Sequence, residues 1–308
     1  MIEIIRRELI YFWFYTSILF NQIAIYWLLG MVMGSLISVF GKDKLNSMFA
    51  ALQNKKLGIV GIIPACIIGI ASPLCMYGTI PISASFAKRG IREDWLAAFM
   101  MSSILLNPQL LFYSAALGRA ALIVRIVSCF LCGISAGLLV HFFFNGKNFF
   151  NFRSFNEAGF DETESRDTDP KLLLRFLKNL WRNVKVTGPA FLIGISLAAL
   201  FQRFIPANTV AALFGRQRGF GLLIAASVGV PLYACGGGTI PLLISWMQRG
   251  MSLGAASTFM IVGPAMKITN LGAVKIILGI KHFAAYIAFS VLFALLAGFI
   301  IDLGGFAG

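Results

Sequence analysis

Two cysteines stand in closely similar surroundings, which makes them the first residues to consider for chemistry. Cys75 begins the run Cys-Met-Tyr-Gly-Thr-Ile-Pro, and Cys235 begins the run Cys-Gly-Gly-Gly-Thr-Ile-Pro. Both runs combine a thiol and a threonine hydroxyl with the glycine and proline that shape irregular backbone. They predict two matched binding elements with thiol, hydroxyl and peptide groups as polar contacts.

The two runs belong to an internal repeat with a spacing of 160 residues. Laying 75–100 on 235–260 without a gap gives ten identities in 26 positions, which is well above what composition alone produces. The repeat predicts two related halves joined by a polar segment. We divide the chain into a first membrane repeat over 1–144, a polar linker with an amphipathic entry helix over 145–183, and a second membrane repeat over 184–308.

The chain that positions these runs is apolar enough to lie in lipid. It has 308 residues, of which 58% are hydrophobic and only 12% charged, with a mean hydropathy of +0.84. A soluble domain carries roughly 25% charged residues, so the composition excludes a soluble protein and also a disordered one. It predicts an all-α, polytopic (multi-pass) integral membrane protein. Apolar runs of about 20 residues, the length that spans a bilayer, lie at 17–40, 95–117, 120–144, 184–203, 255–277 and 283–301.

One further apolar region in each half is interrupted by prolines and glycines, at 57–88 and at 219–248. Irregular backbone at membrane depth occurs only where protein or a polar cavity satisfies its polar groups. Matched interruptions of this kind are typical of the binding site of a transporter. We therefore predict a broken or re-entrant helix in each half, with a pair of purely structural kinks as the alternative.

We assign the site to residues at these breaks and to polar residues in the apolar run that follows each break. The predicted substrate-binding residues are Cys75, Tyr77, Gly78, Thr79, Cys235, Gly236, Gly237, Gly238, Thr239, Asn107, Lys267 and Asn270, and the prolines that shape the site are Pro73, Pro81, Pro231 and Pro241. The alternative for Lys267 is a side chain that extends to the membrane interface.

The threonine of each run is predicted to cap a helix. Thr79 and Thr239 are good N-cap residues, and the proline two positions later would fall in the first helical turn. Each cysteine would then lie four residues before a helix start, and two helix N-termini would direct their N–H groups into one cavity.

The net charge and the absence of certain motifs limit the kinds of partner and cofactor that the sequence predicts. The net charge is +14, and basic residues flank apolar runs, as in Lys55-Lys56, which predicts contact with membrane lipid rather than nucleic acid. Cys129 and Cys132 lie in a lipid-like run that favours packing, and His141 and His282 lie near span ends, where structural roles are expected. The sequence contains no phosphate-binding loop and no zinc motif. We predict no metal, no cofactor and no enzymatic activity.

These residues resemble the predicted permeases that include the ArsP-type organoarsenical efflux permeases. The resemblance covers both halves and rests on Ser72-Pro73-Leu74-Cys75 through Gly78-Thr79-Ile80-Pro81, and on Pro231-Leu232-Tyr233-Ala234-Cys235 through Gly238-Thr239-Ile240-Pro241. It implies a permease of the cytoplasmic membrane that exports a thiophilic small molecule, such as a trivalent organoarsenical, with thiols as soft ligands. Some members carry Cys-Ser-Cys in the first motif. Tyr77 takes the third position here, so one thiol per half is carried over.

Several functions and arrangements stay open. The first is a secondary transporter that exports a thiophilic solute by alternating access. The second is a transporter of a small oxyanion or sulfur anion, because two helix N-termini and Lys267 would make the cavity positive. The third is a non-transporting membrane subunit of a larger complex. The transport direction, the coupling ion, the relation of the repeats (inverted or parallel) and a homo-oligomeric state are also open. The membrane orientation is open because the lysines at 42–56 compete with the basic residues at 88–92 for the cytoplasmic side.

Overall fold

The structure is a computed structural model that describes residues 2–40, 47–48, 57–72, 76–88, 90–144, 149–151, 171–204, 207–215, 220–233 and 236–304. Every regular element in these residues is a helix, which confirms the all-helical prediction.

The first half is built from helices α1 to α6. They are α1 (Ile2–Phe40), α2 (Ile62–Ala71, preceded by the 3-10 turn Gly58–Gly61), α3 (Met76–Lys88), α4 (Glu93–Leu105), α5 (Pro108–Ala115) and α6 (Arg119–Phe144). Gly118 separates α5 from α6 with a φ of 98°, a backbone conformation that favours glycine.

The second half is built from helices α7 to α12. They are α7 (Leu172–Phe204), α8 (Ala207–Phe214), α9 (Phe220–Leu232), α10 (Gly236–Gln248), α11 (Leu253–Ala265) and α12 (Ile268–Leu303). The sequence predicts an unbroken span over 255–277, and this is wrong. The chain leaves the helical conformation at Met266 because Gly263 and Pro264 weaken the helix there, and α12 then bends at Gly279 (φ 66°).

Three helical stretches in the described residues are long and apolar enough to cross a membrane. They are Glu93–Ala115, which joins α4 and α5, Arg119–Phe144 and Val274–Leu303. A fourth results if the two parts of α1, Arg6–Asn21 and Ile23–Leu36, are taken together across their 45° bend. The fold is therefore that of a membrane-embedded helical protein.

In the first half, α2 lies beside α4 and runs in the same direction. Near the start of both elements, the indole Nε1 of Trp95 donates to the carbonyl of Gly58 at 3.0 Å. Near their ends, the hydroxyls of Ser72 and Ser103 lie 2.9 Å apart. The two elements approach closely because Gly61 has no side chain, and a Cβ there would lie 2.1 Å from the Trp95 ring.

Helix α3 lies against α4 in the opposite direction. Thr79, early in α3, places its hydroxyl 3.1 Å from that of Ser103, late in α4. Phe86, late in α3, packs edge-on against Phe99, with ring centroids 6.0 Å apart. The chain turns at Gly90 (φ 82°) and enters α4. Helices α2 and α3 thus form a hairpin whose inner ends lie beside the end of α4.

The second half repeats this arrangement with α9, α10 and α11. A Cβ on Gly229 would lie 3.5 Å from the ring of Phe259, and a Cβ on Gly263 would lie 2.4 Å from the ring of Tyr233, so α9 and α11 run in the same direction. Trp246 of α10 packs edge-on against Phe259, with centroids 5.7 Å apart. The inner ends of this second hairpin lie beside the end of α11.

The C-terminal ends of α4 and α11 meet in one buried apolar cluster. Leu105 and Leu106 of the first half belong to it together with Ile261, Val262 and Ala265 of the second half. The N-terminal parts of the two helices lie in two other clusters, that of α4 in one and that of α11 in the other. The inner ends of both hairpins therefore come to the same central region of the molecule.

Carboxylates hold the outer ends of α4 and α11. Asp94, in the first turn of α4, accepts from Arg92 at 2.6 Å and lies 2.9 Å from Nδ1 of His141, near the end of α6. Asp302, near the end of α12, accepts from the N–H of Gly254 at 2.9 Å, in the first turn of α11. A negative charge is favourable at a helix N-terminus. Each carboxylate joins that terminus to the last helix of its half.

The contact between α7 and α10 depends on a glycine. A Cβ on Gly194 would lie 1.9 Å from the carbonyl oxygen of Gly238, a backbone atom that cannot rotate away. We expect Gly194→Ala to lower the free energy of unfolding by about 2–3 kcal/mol, because overpacking forces backbone shifts. Thermal unfolding of the purified protein in detergent measures this. The control is Gly188→Ala in the same helix, where a Cβ meets nothing within 4 Å. It should be neutral or stabilising by up to about 1 kcal/mol, and equal losses in both variants would contradict the expectation.

Candidate functional site

The helices after the two breaks begin earlier than the sequence predicts. α3 begins at Met76 and α10 at Gly236, so Thr79 and Thr239 are helical residues and not N-caps. The predicted start is wrong because a capping preference of about 1 kcal/mol is smaller than the packing that holds the preceding turn. In α10 that packing includes the close contact between Gly238 and Gly194.

Pro81 and Pro241 consequently lie in the sixth position of their helices rather than in the first turn. A proline has no N–H, so it removes the helical hydrogen bond to the carbonyl four residues earlier. The affected carbonyls are those of Tyr77 and Gly237. Each half therefore has a helical turn with a missing hydrogen bond next to its break, which is a place where a polar ligand could contact backbone.

Three buried hydroxyls join the first hairpin to α4. Ser72 donates to the carbonyl of Gly69 at 2.8 Å and lies 2.9 Å from Ser103, and Thr79 lies 3.1 Å from Ser103. In each of the two hydroxyl pairs, either oxygen can be the donor. This chain satisfies polar groups on both sides of the break and fixes the separation of α2 and α3.

The second hairpin has a different lining at the corresponding place. Tyr233 follows α9 directly and packs its ring against Gly263 of α11. Thr239, Ile240 and Pro241 are buried. The two breaks thus share their backbone arrangement, but hydroxyl groups hold the first and an aromatic ring fills the second.

The thiols that motivated the site lie outside the described residues. Pro73, Cys75 and Cys235 fall in the short segments that directly precede α3 and α10 in sequence. Of the other predicted residues, the helical backbone alone is described for Tyr77, Gly78, Pro81, Gly236, Gly237 and Asn270. The positions of the cysteine side chains stay a prediction.

Asn107 and Lys267 both stand where a helix follows the end of α4 or α11. The Asn107 side chain caps α5 by accepting from the N–H of Leu110 at 2.9 Å, and it is 8% exposed. Lys267 is half-buried at the start of α12, and its side chain makes no capping hydrogen bond. Asn107 holds the irregular backbone at this helix start. The predicted substrate contacts of Asn107 and Lys267 stay predictions.

The sequence analysis did not identify two polar groups of this region. Ser103 was visible only as part of an apolar run, and its contact with Ser72 joins positions 31 residues apart. Arg125 lies in α6 and is 1% exposed. A signal existed for Arg125, because it is the one charged residue in the apolar run 120–144.

The fold and the site define a helical integral membrane protein in which other helices enclose the inner ends of two hairpins. The chain belongs to the ArsP_1 family of predicted permeases, whose model matches residues 12–303. It is similar to the UPF0718 protein MJ0584 of Methanocaldococcus jannaschii, with 24% identity over 41% of this chain and 34% of that protein. It is also similar to the UPF0718 protein YcgR of Bacillus subtilis, with 32% identity over 33% of this chain and 31% of that protein.

Each of these alignments thus spans about a third of the length of the curated relative. No solved structure matches the chain.

The hydroxyl chain can be tested by removing its central member. Ser103→Ala leaves Ser72 and Thr79 without that partner, and we expect it to lower the free energy of unfolding by roughly 1–3 kcal/mol. The matched control is Ser83→Ala in α3, whose buried hydroxyl has no hydrogen-bond partner in the described part of the chain. Its loss should be smaller than about 0.5 kcal/mol. Thermal unfolding in detergent compares the two, and a control that is as damaging as Ser103→Ala would contradict a role for the chain.

Proposed function

We propose that the protein is a secondary transporter that moves a small solute by alternating access around a site built from its two hairpins. The observation that carries the proposal is the pair of 13-residue helices, α3 and α10, each of which packs an aromatic ring edge-on against the helix that follows it. A helix of 13 residues is about 20 Å long, which is shorter than the hydrocarbon core of about 30 Å. Each hairpin is therefore re-entrant in this proposal, with its inner end at membrane depth.

Packing between the halves supports an inverted repeat. α1 and α7 run in opposite directions, because Asn183 contacts Ser35 late in α1 while Arg203 contacts Glu8 early in α1. The end-to-end approach of α4 and α11 fits the same relation. Two inverted halves would bring the hairpins from opposite faces of the membrane to one central site, which is the arrangement that alternating access needs.

In this proposal, re-entrant hairpins also give the protein an orientation in the membrane. Lys55 and Lys56 precede the first hairpin, and Lys88, Arg89 and Arg92 follow it. A hairpin that enters and leaves on one side puts both groups on that side, together with the polar linker. The basic residues then favour the cytoplasm for this side.

For the substrate, we propose a thiophilic solute such as a trivalent organoarsenical, exported from the cell. The family resemblance and the placement of one cysteine directly before each 13-residue helix support this choice, since thiols are ligands for soft centres. A small anion is the competing substrate, supported by the half-buried Lys267 at the start of α12. The remaining alternative is a membrane subunit that transports nothing on its own.

Flux into vesicles that contain only the purified protein separates these functions. We expect Cys75→Ser combined with Cys235→Ser to lower the flux of a trivalent phenylarsenical at least tenfold, because both soft ligands are lost. Cys132→Ala, which changes a buried thiol in the apolar cluster, should retain most of the flux. If the double variant keeps its flux while Lys267→Ala abolishes sulfate or phosphate flux, the anion model is correct. The absence of flux for every solute would favour the subunit.

The orientation can be tested by thiol labelling in intact cells. Lys171→Cys at the start of α7 and Asn208→Cys beyond its end are both exposed positions. We expect a membrane-impermeant maleimide to label the Asn208 variant from outside and the Lys171 variant only in inverted vesicles, with the unsubstituted protein as the background. Labelling of both variants from the same side would overturn the inverted arrangement of the halves.

A further inference from the structure

Arg125 is the largest fully buried side chain among the described residues. It lies six positions into α6 and is 1% exposed. Its Nη1 donates to the hydroxyl of Ser114 in α5 at 2.7 Å, and Ser114 in turn donates to the carbonyl of Leu110 at 2.5 Å. Nε and Nη2 of Arg125 have no hydrogen-bond partner in the part of the chain that the structure describes.

The two unpartnered nitrogens form the edge of a guanidinium that binds carboxylates with two parallel hydrogen bonds. Among the residues that the structure describes, the same edge holds a carboxylate at two other arginines. Arg92 holds Asp94 through Nε at 3.1 Å and Nη2 at 2.6 Å. Arg203 holds Glu8 through Nε at 2.7 Å and Nη2 at 2.8 Å. In Arg125 this edge is buried, and no described residue forms a hydrogen bond with its two nitrogens.

No carboxylate of the described residues forms an ion pair with Arg125. The Cys129 thiol, one turn further along α6, lies beside the guanidinium, but a thiol is a weak acceptor and this one approaches the Leu105 carbonyl at 3.9 Å. Asp94 lies at the opposite end of α4, about 16 Å away along the helix. An unpaired buried charge is strongly unfavourable, so a counter-charge from outside the chain is the simplest way to satisfy it.

The other half shows that this place in the fold does not need a charge. Gly118 and Gly279 both have positive φ. Gly118 lies just before α6, and Gly279 lies at the bend of α12, before its long final segment. Arg125 lies seven residues after the first glycine, and Tyr286 lies seven residues after the second. Tyr286 donates its neutral hydroxyl to the carbonyl of Ala265 at 2.6 Å. A neutral side chain therefore satisfies the packing at this place in the second half. Packing alone does not require the charge of Arg125.

We propose that the Nε–Nη2 edge of Arg125 binds a small oxyanion, either a carboxylate or a tetrahedral oxyanion, where α5 and α6 meet the end of α4. Ser114 positions the guanidinium by holding Nη1, and the two remaining donors face the ligand. The site contains neither cysteine motif, and it does not depend on the proposed transport function. It gives the first half an anion-binding element at the place where the second half has the neutral Tyr286.

Thermal unfolding of the full-length protein in detergent tests the site, with acetate, sulfate and phosphate titrated separately against chloride. We expect at least one of the three to raise Tm saturably, by on the order of 3 °C at ten times its Kd. Arg125→Tyr, which copies the second half, should remove the saturable rise. Arg125→Lys should weaken the apparent affinity at least tenfold, because an ammonium cannot form the paired contact. The control Arg203→Gln should keep the full response.

Two results of the thermal unfolding experiment would contradict the proposed anion site. Sulfate and phosphate also stabilise proteins without binding a site, and that effect does not saturate. A rise that never saturates in the wild-type protein, or a saturable rise of the same size in Arg125→Tyr, would overturn the proposal. Isothermal titration of the wild-type protein with the best anion gives the same decision if a variant fails to fold, since the absence of a binding isotherm contradicts the site.

Discussion

The need to satisfy backbone N–H and C=O groups without water is the constraint on which the rest of this structure depends. Lipid offers no hydrogen bonds, so a helix that ends inside the membrane must be enclosed by other protein. Here the inner ends of both hairpins lie beside the ends of α4 and α11, which share one apolar cluster. Glycines such as Gly61 and Gly194 allow the enclosing helices to approach closely. In the proposed re-entrant arrangement, that approach keeps the polar groups at the breaks away from lipid.

The two halves enclose their breaks with similar helix packing but with different side chains. In the first half, Ser72, Ser103 and Thr79 form a chain of hydroxyls across the break. In the second, the ring of Tyr233 fills the corresponding space against Gly263. If each hairpin contacts a different part of one solute, a transport site needs similar backbone positions in the two halves with side chains of different polarity.

Much of the architecture could be predicted from local sequence. Two 13-residue helices begin 160 residues apart, α3 at Met76 and α10 at Gly236. Apolar runs predicted the long helices, whereas Pro231 and Pro241 lie inside helices rather than at their breaks. Such features depend on residues a few positions apart, whose effects on backbone conformation are intrinsic to the chain.

What local sequence could not show is which distant groups meet. α10 begins at Gly236, and the turn before Thr239 places Gly238 close to Gly194 of α7. Arg125 of α6 is buried and holds Ser114 of α5. The sequence by itself determined a membrane-embedded helical chain. Only the tertiary structure decided the partners at the two breaks, because the packing that brings remote residues together depends on all the helices at once.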